Sequence, residues 1–309
     1  MLIPLNKHVF LDKNDKPTVN EEGKFKKVVS RFDSARSFIN YLDQCDYSNT
    51  RWYGRDSETN KIDPKGVRKE FTFSGYSSSD TNESLVERTY QRARVGNIKQ
   101  LKKLQRIAKE SGISLKGKLE DSERSKQRWS PVGRGHIPAY LQGNPIPNTR
   151  GTIVDRTLPT ATLAINLAAN CTTEAKEIEA YATGALAAIQ TVCSASRVQL
   201  AVYIAYAGEI YPSSTHTCAI RVKQYDKPIN LSHAAAVMCD PSFYRLFGFS
   251  WYSLIDKIPM TLGSCSKHVT TEAFDEKHRL VSITPDFGVS PVRAYKHVCS
   301  ELREAMNLK

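Results

Sequence analysis

Apolar residues follow two patterns along this chain, and the change from one to the other falls near its middle. Over residues 158–168 they run almost without interruption, as in a strand buried on both faces of a sheet. Thr172 or Thr173 then caps a helix whose opening turns carry Glu174, Glu177 and Glu179, acidic groups that are favourable at the positive end of a helix dipole. Its apolar stripe, Ile178, Ala182, Ala185, Ile189 and Val192, advances by steps of four and three residues, and the alanines permit close packing on a sheet. Residues 198–206 form a second apolar strand. After a turn over 208–214, residues 217–225 alternate polar with apolar, which predicts an edge strand with one wet face. A helix over 232–238 meets Asp240 and Pro241 and continues through Tyr244 to Phe247, and a strand covers 279–284. Ser290 and Pro291 open a terminal helix with Val292, Tyr295, Val298, Leu302 and Met306 inside.

The first half is sparser in apolar residues and shows helical spacing instead. Residues 1–30 are polar and read as an extended arm or a short peripheral hairpin. Phe32, Ala35, Phe38, Ile39 and Leu42 then recur at helical spacing, with Asp33 or Ser34 available as cap. Residues 46–82 alternate aromatic and polar groups. There Trp52, Phe71 and Phe73 either pin a long loop to the core or offer rings on which bases stack. A helix over 82–95 breaks at Gly96. Another opens near Asn97, with Ile98, Leu101, Leu104 and Ile107 as its apolar face and basic residues on its other sides. Pro131, Pro138, Pro145 and Pro147 exclude long regular structure between 129 and 150.

Four regions follow: a polar arm (1–30), a basic, mainly helical region (31–128), a Pro/Gly-rich connector (129–150) and an α/β domain (151–309). In the last region the order is strand, helix, strand, edge strand, helix, strand, helix. With the apolar run that ends at Asn166, Ala168 and Asn170, this order resembles the opening of a von Willebrand A-type domain. The resemblance implies an α/β, Rossmann-like three-layer sandwich. It also implies a loop after the first strand where that family carries Asp-x-Ser-x-Ser and a divalent metal. Here Asn166, Ala168 and Asn170 take those positions, so the anionic ligands that offset an ion's dehydration are missing and a structural role for the amides is expected.

A second resemblance rests on the aromatic segment 71–76 with the helix ending Arg94-Val-Gly96, the run 132–145, the strand 163–170, and Val222-Lys223 with Pro228, Asp240-Pro241 and Arg245. These segments are similar to a family of uncharacterised proteins carried by bacteriophages and mobile elements. That resemblance implies a phage context and no catalytic residue.

Charge adds a direction to this picture. The chain has 309 residues and a net charge of +12. Residues 1–135 hold 28 Lys+Arg against 18 Asp+Glu, whereas the remainder is nearly balanced, so the basic field belongs to the first half. A patch of this kind concentrates polyanions, of which nucleic acid is the commonest in a cell. No stretch approaches the roughly 20 apolar residues needed to cross a bilayer. The N-terminus also lacks the features of a secretory signal, so a cytoplasmic protein with no membrane partner is expected. Seven widely spaced cysteines, mostly inside apolar runs, predict buried reduced thiols.

The expected function is that of a non-catalytic accessory protein that binds nucleic acid, DNA or RNA. Arg92, Arg94, Lys99, Lys102, Lys103, Arg106, Lys109 and Arg134 would neutralise phosphates, and no metal or cofactor is expected. The alternative is an interaction or assembly protein that docks a phage or host partner on the α/β domain. An enzyme is a second alternative, with Ser264, Cys265 and His268, or His233 with Asp240, as its candidate groups. Neither set has the spacing of a known triad, and Cys265, His268 and His278 lack paired zinc-ligand spacing.

Overall fold

The computed structural model describes residues 7–11, 16–18, 27–45, 82–114, 128–135, 148–150, 160–169, 173–195, 199–210, 214–225, 227–255, 269, 271–274 and 279–306. Its strands are β1 (Lys7–Leu11), β2 (Pro17–Thr18), β3 (Lys27–Phe32), β4 (Arg128–Gly135), β5 (Asn148–Arg150), β6 (Thr160–Asn166), β7 (Gln199–Ile210), β8 (Ser214–Lys223) and β9 (Arg279–Ile283). The helices are α1 (Ala35–Gln44), α2 (Asn82–Val95), α3 (Ile98–Glu110), α4 (Ala175–Ala195), α5 (Leu231–Met238), α6 (Pro241–Phe243), α7 (Phe249–Ile255) and α8 (Pro291–Met306).

Seven strands make one mixed sheet in the order β2-β1-β3-β8-β7-β6-β9. β7, β6 and β9 are parallel to one another, β8 runs against β7, and β3 lies parallel to β8. The continuous apolar run is β6, flanked by β7 and β9 and buried from Ala161 to Asn166, as a strand covered on both faces must be.

The strand expected at the edge is interior. β8 begins at Ser214, is buried from His216 to Ile220, and has β3 on the side opposite β7. Its polar residues meet protein because residues 27–32, nearly two hundred positions earlier, supply a partner strand that no local pattern announces. β7 likewise extends to Ile210, through part of the predicted turn, and pairs with β8 from Val202 to Ile210. The connector also contains regular structure, since β4 and β5 pair as a separate two-stranded sheet. The register shifts between Trp129 and Arg134, so Pro131 sits where a missing N–H breaks no ladder.

Alternate β-strand residues face opposite sides of the sheet. Val28, Phe32, Leu163, Ile165, Val202, Ile204, Cys218 and Ile220 join one core with α1 to α5, α7 and α8. The other face carries a smaller, alanine-rich cluster of Ala164, Ala201, Ala205, Ala207 and Ala219, covered among the described residues by Val269, Ala273 and Phe274. Residues from the arm, the basic region and the second half therefore share a single sheet and a single main core. Phe32, expected in the first helix, ends β3. Ser34 caps α1, its Oγ accepting from the Ser37 amide at 3.1 Å.

The helix after β6 is buried on every side through residues 181–190, not along one stripe alone. A helix apolar all round belongs inside a protein. Its threonine hydroxyls turn back on the helix, Thr183 donating to the Glu179 carbonyl at 2.7 Å and Thr191 to that of Ala187 at 2.8 Å. Burying Leu186 and Ile189 completely contributes about 1.5–3 kcal/mol each. At Gly184, a Cβ would collide with the Pro291 carbonyl and stand 2.8 Å from the Ala294 Cβ, so α8 crosses α4 where a side chain is missing.

The helix expected past Asp240 is interrupted. α6 gives way to a π-helical turn, Tyr244–Gly248, before α7 begins. The turn lies on the aromatic floor of the core, with Tyr244 4.7 Å from Tyr206 and Phe247 4.9 Å from Tyr90. Trp251 on α7 donates from Nε1 to the Ser30 hydroxyl at 2.9 Å, tying this segment to β3. Beside it His216 packs its ring 4.6 Å from Tyr252 and 5.7 Å from Trp251, and neither ring nitrogen has a hydrogen-bond partner.

Two measurements check this core. Gly184→Val should lower thermal stability sharply, at a cost of about 3 kcal/mol from overpacking against α8, and an unchanged Tm would refute the close crossing. Burial pushes the His216 pKa down from 6.5 to about 3. The unfolded chain therefore takes up a proton that the folded one refuses. The resulting stability is fully present above pH 6.5 and is lost as the pH falls towards 3. His216→Phe should reduce the acid slope of denaturant-unfolding stability by about 1.4 kcal/mol per pH unit within that window.

Candidate nucleic-acid interface

The seven basic residues of α2 and α3 expected to meet phosphates divide into two groups with different work. α2 ends at Gly96, whose φ of 95° suits the left-handed region. A Cβ there would lie 2.8 Å from the His233 ring, so α5 packs directly on the corner. Asn97 then starts α3 twice over. Its Oδ1 accepts from the Gln100 amide at 3.0 Å, and its own amide donates to the Ser232 carbonyl at 2.9 Å.

Two cations hold this corner down. Arg92 Nη1 lies 2.9 Å from Oδ2 of Asp240, a buried carboxylate whose Oδ1 accepts from the Ser242 amide at 3.0 Å. Lys103 Nζ lies 2.6 Å from the carboxylate of Glu179 on α4, which also accepts from Gln100 Nε2 at 2.9 Å. Glu179 is only 8% exposed, so the ammonium and the amide satisfy a charge that would otherwise sit unpaired against the core. Arg92 and Lys103, expected to neutralise phosphates, are thus bound to structural carboxylates.

The remaining cations face water. α3 buries Leu104 and Ala108, with Leu101 half-buried beside them. Lys99, Lys102, Arg106 and Lys109 are exposed. They step by three, four and three residues, which keeps them within about 80° of the helix circumference and spreads them over about 15 Å. Arg106 meets Glu110 at 3.8 Å, but both are largely exposed, and such a pair contributes little and exchanges readily. Arg94 is exposed at the end of α2, its guanidinium 5.5 Å from the centre of the Tyr90 ring. Arg134 is not part of this ridge in sequence or sheet. It lies in β4, paired with Thr149, and only its backbone is described.

The apolar face expected for α3 is rotated. Ile98 is 63% exposed instead of buried, and with Val95 at 76% it forms an apolar pair at the α2–α3 corner. Both are surface residues that sequence reasoning placed wrongly or passed over. The available signal was Leu104 with Ala108, an i, i+4 pair that defines the buried arc better than three-residue steps, because three residues fall short of a full turn.

The other candidate chemistry does not assemble among the described residues. Asp240 is engaged by Arg92, and His233 lies in the first turn of α5, its amide accepted by Asn230 Oδ1 at 3.2 Å. Ser264, Cys265, His268, His278 and the aromatic residues of 46–81 lie outside the described residues, as does Asn170. Asn166 is 1% exposed and clamps the ends of two strands. Its Oδ1 accepts from the amides of Ala207 at 3.0 Å and Ala168 at 3.2 Å, and its Nδ2 donates to the Ala207 carbonyl at 3.4 Å. The Asn166 amide thus matches both its donor and its acceptor to backbone. Cys218 and Cys239 are buried free thiols, and burial pushes both well above the ordinary range, so they stay protonated. No group of three or more His, Cys, Asp or Glu among the described residues is placed to hold a metal ion. No described helix is long and apolar enough to cross a membrane.

These features define a mixed α/β protein, a sheet with flanking helices and a basic helix on its outer surface. The chain belongs to the family described as a domain of unknown function, DUF7192, whose family model matches residues 13–286. The match spans the basic region and the α/β half together, as the shared core does. No curated protein and no solved structure matches the chain.

The division of labour on α3 is measurable. Lys103→Met should cost about 1–2 kcal/mol by leaving Glu179 without its ammonium. Lys102→Met, one position away, should stay within about 0.5 kcal/mol of the parent. Urea unfolding of the two variants checks the contrast.

Proposed function

We propose that this protein is a non-catalytic nucleic-acid-binding protein that engages phosphates through the outer ridge of α3. The observation that carries the reading is the alignment of Lys99, Lys102, Arg106 and Lys109 along one exposed face, fixed in direction by the Lys103–Glu179 and Arg92–Asp240 pairs behind it. A basic ridge on a pre-anchored helix loses little ordering entropy when phosphates arrive. Arg94 extends the ridge across the corner, and Arg134 is a further phosphate contact in this reading. Val95 and Ile98 supply apolar contact beside the charges.

The strand order β8-β7-β6-β9 with β8 reversed supports kinship with the von Willebrand A-type fold, used here as a scaffold without its metal. The free thiols among the described cysteines suit a reducing cytoplasm. An accessory role in a phage or mobile element accords with a small nucleic-acid binder. A second reading, a docking surface for a phage or host protein, is favoured by the exposure of Val95 and Ile98.

Fluorescence anisotropy with short labelled DNA and RNA, single-stranded and duplex, tests the first reading. Neutralising about four phosphates predicts an affinity loss of about a hundredfold between about 50 and 200 mM salt. Lys99→Glu with Lys102→Glu should weaken binding at least tenfold and flatten the salt slope. Binding that is absent at low salt, insensitive to salt, or unchanged in the double variant would overturn the proposal. A nuclease-resistant complex lost on Ile98→Ser would favour the second reading instead.

A further inference from the structure

The face of the sheet opposite the main core carries charged positions that the α3 ridge does not explain. Along β3, Val28 and Phe32 point into the main core and Val29 into the alanine-rich cluster, so Arg31 shares the face of Val29. Along β8, Cys218 and Ile220 belong to the main core and Ala219 to the second cluster, so Arg221 lies on that same face. β3 and β8 are adjacent and parallel, with Arg31 paired to Ala219. Arg221 is therefore two positions along the neighbouring strand, a diagonal separation of about 7–8 Å between backbones that long side chains span easily.

Two guanidinium groups so placed repel each other, and the described partner is a single carboxylate. Asp33 Oδ1 lies 2.6 Å from Arg221 Nη2. Arg31 makes no such pair among the described residues. Its Nε and Nη1, and the Nε of Arg221, are buried without a hydrogen-bond partner. A buried donor on a permanently charged group is costly to leave unmade, and an arrangement with three of them calls for an acceptor. Arg31 is half-buried and the Arg221 side chain is 21% exposed, so other atoms of both side chains reach solvent.

The geometry points to an oxyanion-binding site on this face, in which Arg31 and Arg221 together hold a phosphate or carboxylate group. Asp33 sets the orientation of Arg221 from one side and leaves its Nε for the ligand. Arg31 supplies the second guanidinium. Planar groups with several fixed donors suit tetrahedral and planar oxyanions better than spherical halides, so the site selects phosphate or carboxylate over chloride. It lies on a different layer from α3 and stands or falls independently of the nucleic-acid reading.

Thermal unfolding at constant ionic strength tests the site, with inorganic phosphate, acetate or chloride as the varied anion. Phosphate, acetate or both should raise the Tm of the native protein above its value in chloride. Phosphate alone would assign a phosphoryl ligand, and acetate a carboxylate. Arg31→Met should abolish the increment while remaining folded in chloride, because it removes buried orphan donors and keeps the aliphatic stem. The Lys99→Glu, Lys102→Glu variant should retain the increment in full, separating this site from the ridge. The inference is overturned if no anion raises the Tm above chloride, or if Arg31→Met keeps the increment.

Discussion

A helix buried on every side needs protein on every side, and that requirement on α4 organises the molecule. Its alanines share the core that β6 and β7 line, Gly184 lets α8 cross it, and α3 covers part of what remains. The one acidic group that α4 carries into this environment, Glu179, must then be met by charge from outside, and Lys103 and Gln100 meet it. The same contact that closes the core fixes the azimuth of α3. With Leu104 and Ala108 turned inward and Lys103 pinned at the margin, the other cations have only the outer surface left to occupy.

The sheet imposes a second constraint. β8 runs antiparallel to β7 and without β3 would leave a ten-residue edge, uncharged from Ser214 to Ile220 apart from His216. An edge of that kind is an aggregation hazard. β3 covers it from the N-terminal side, and β1 and the two-residue β2 extend the sheet to a short, proline-bearing end. The polar arm and the basic region are thus integral to the fold. This is also why the Trp251–Ser30 hydrogen bond joins residues so distant in sequence.

Much of the architecture was legible locally. The boundaries of α2 follow from the apolar spacing and from Gly96. The Asn97 cap, the Ser290-Pro291 start of α8 and the buried character of β6 each follow from one or two residues whose backbone preferences are strong. Asn166 was legible as a structural amide once its carboxylate counterparts were missing from the loop. The rotation of α3 was harder to read, because Ile98 and Ile107 have the same chemistry as Leu101 and Leu104 and differ only in what stands opposite them.

Composition and periodicity by themselves determined most helices, the strands β6 to β9, the basic character of the first half and the lack of carboxylates at Asn166, Ala168 and Asn170. These are properties of short segments, set by dihedral preferences, side-chain volume and charge. Only the tertiary structure decided which cations are free. Arg92 and Lys103 are indistinguishable in sequence from Lys99 and Lys102, and their difference comes from Asp240 and Glu179, carboxylates brought beside them from 148 and 76 residues away. The place of β8 inside the sheet was decided in the same way, since strand pairing joins backbones whose side-chain patterns carry no address for one another.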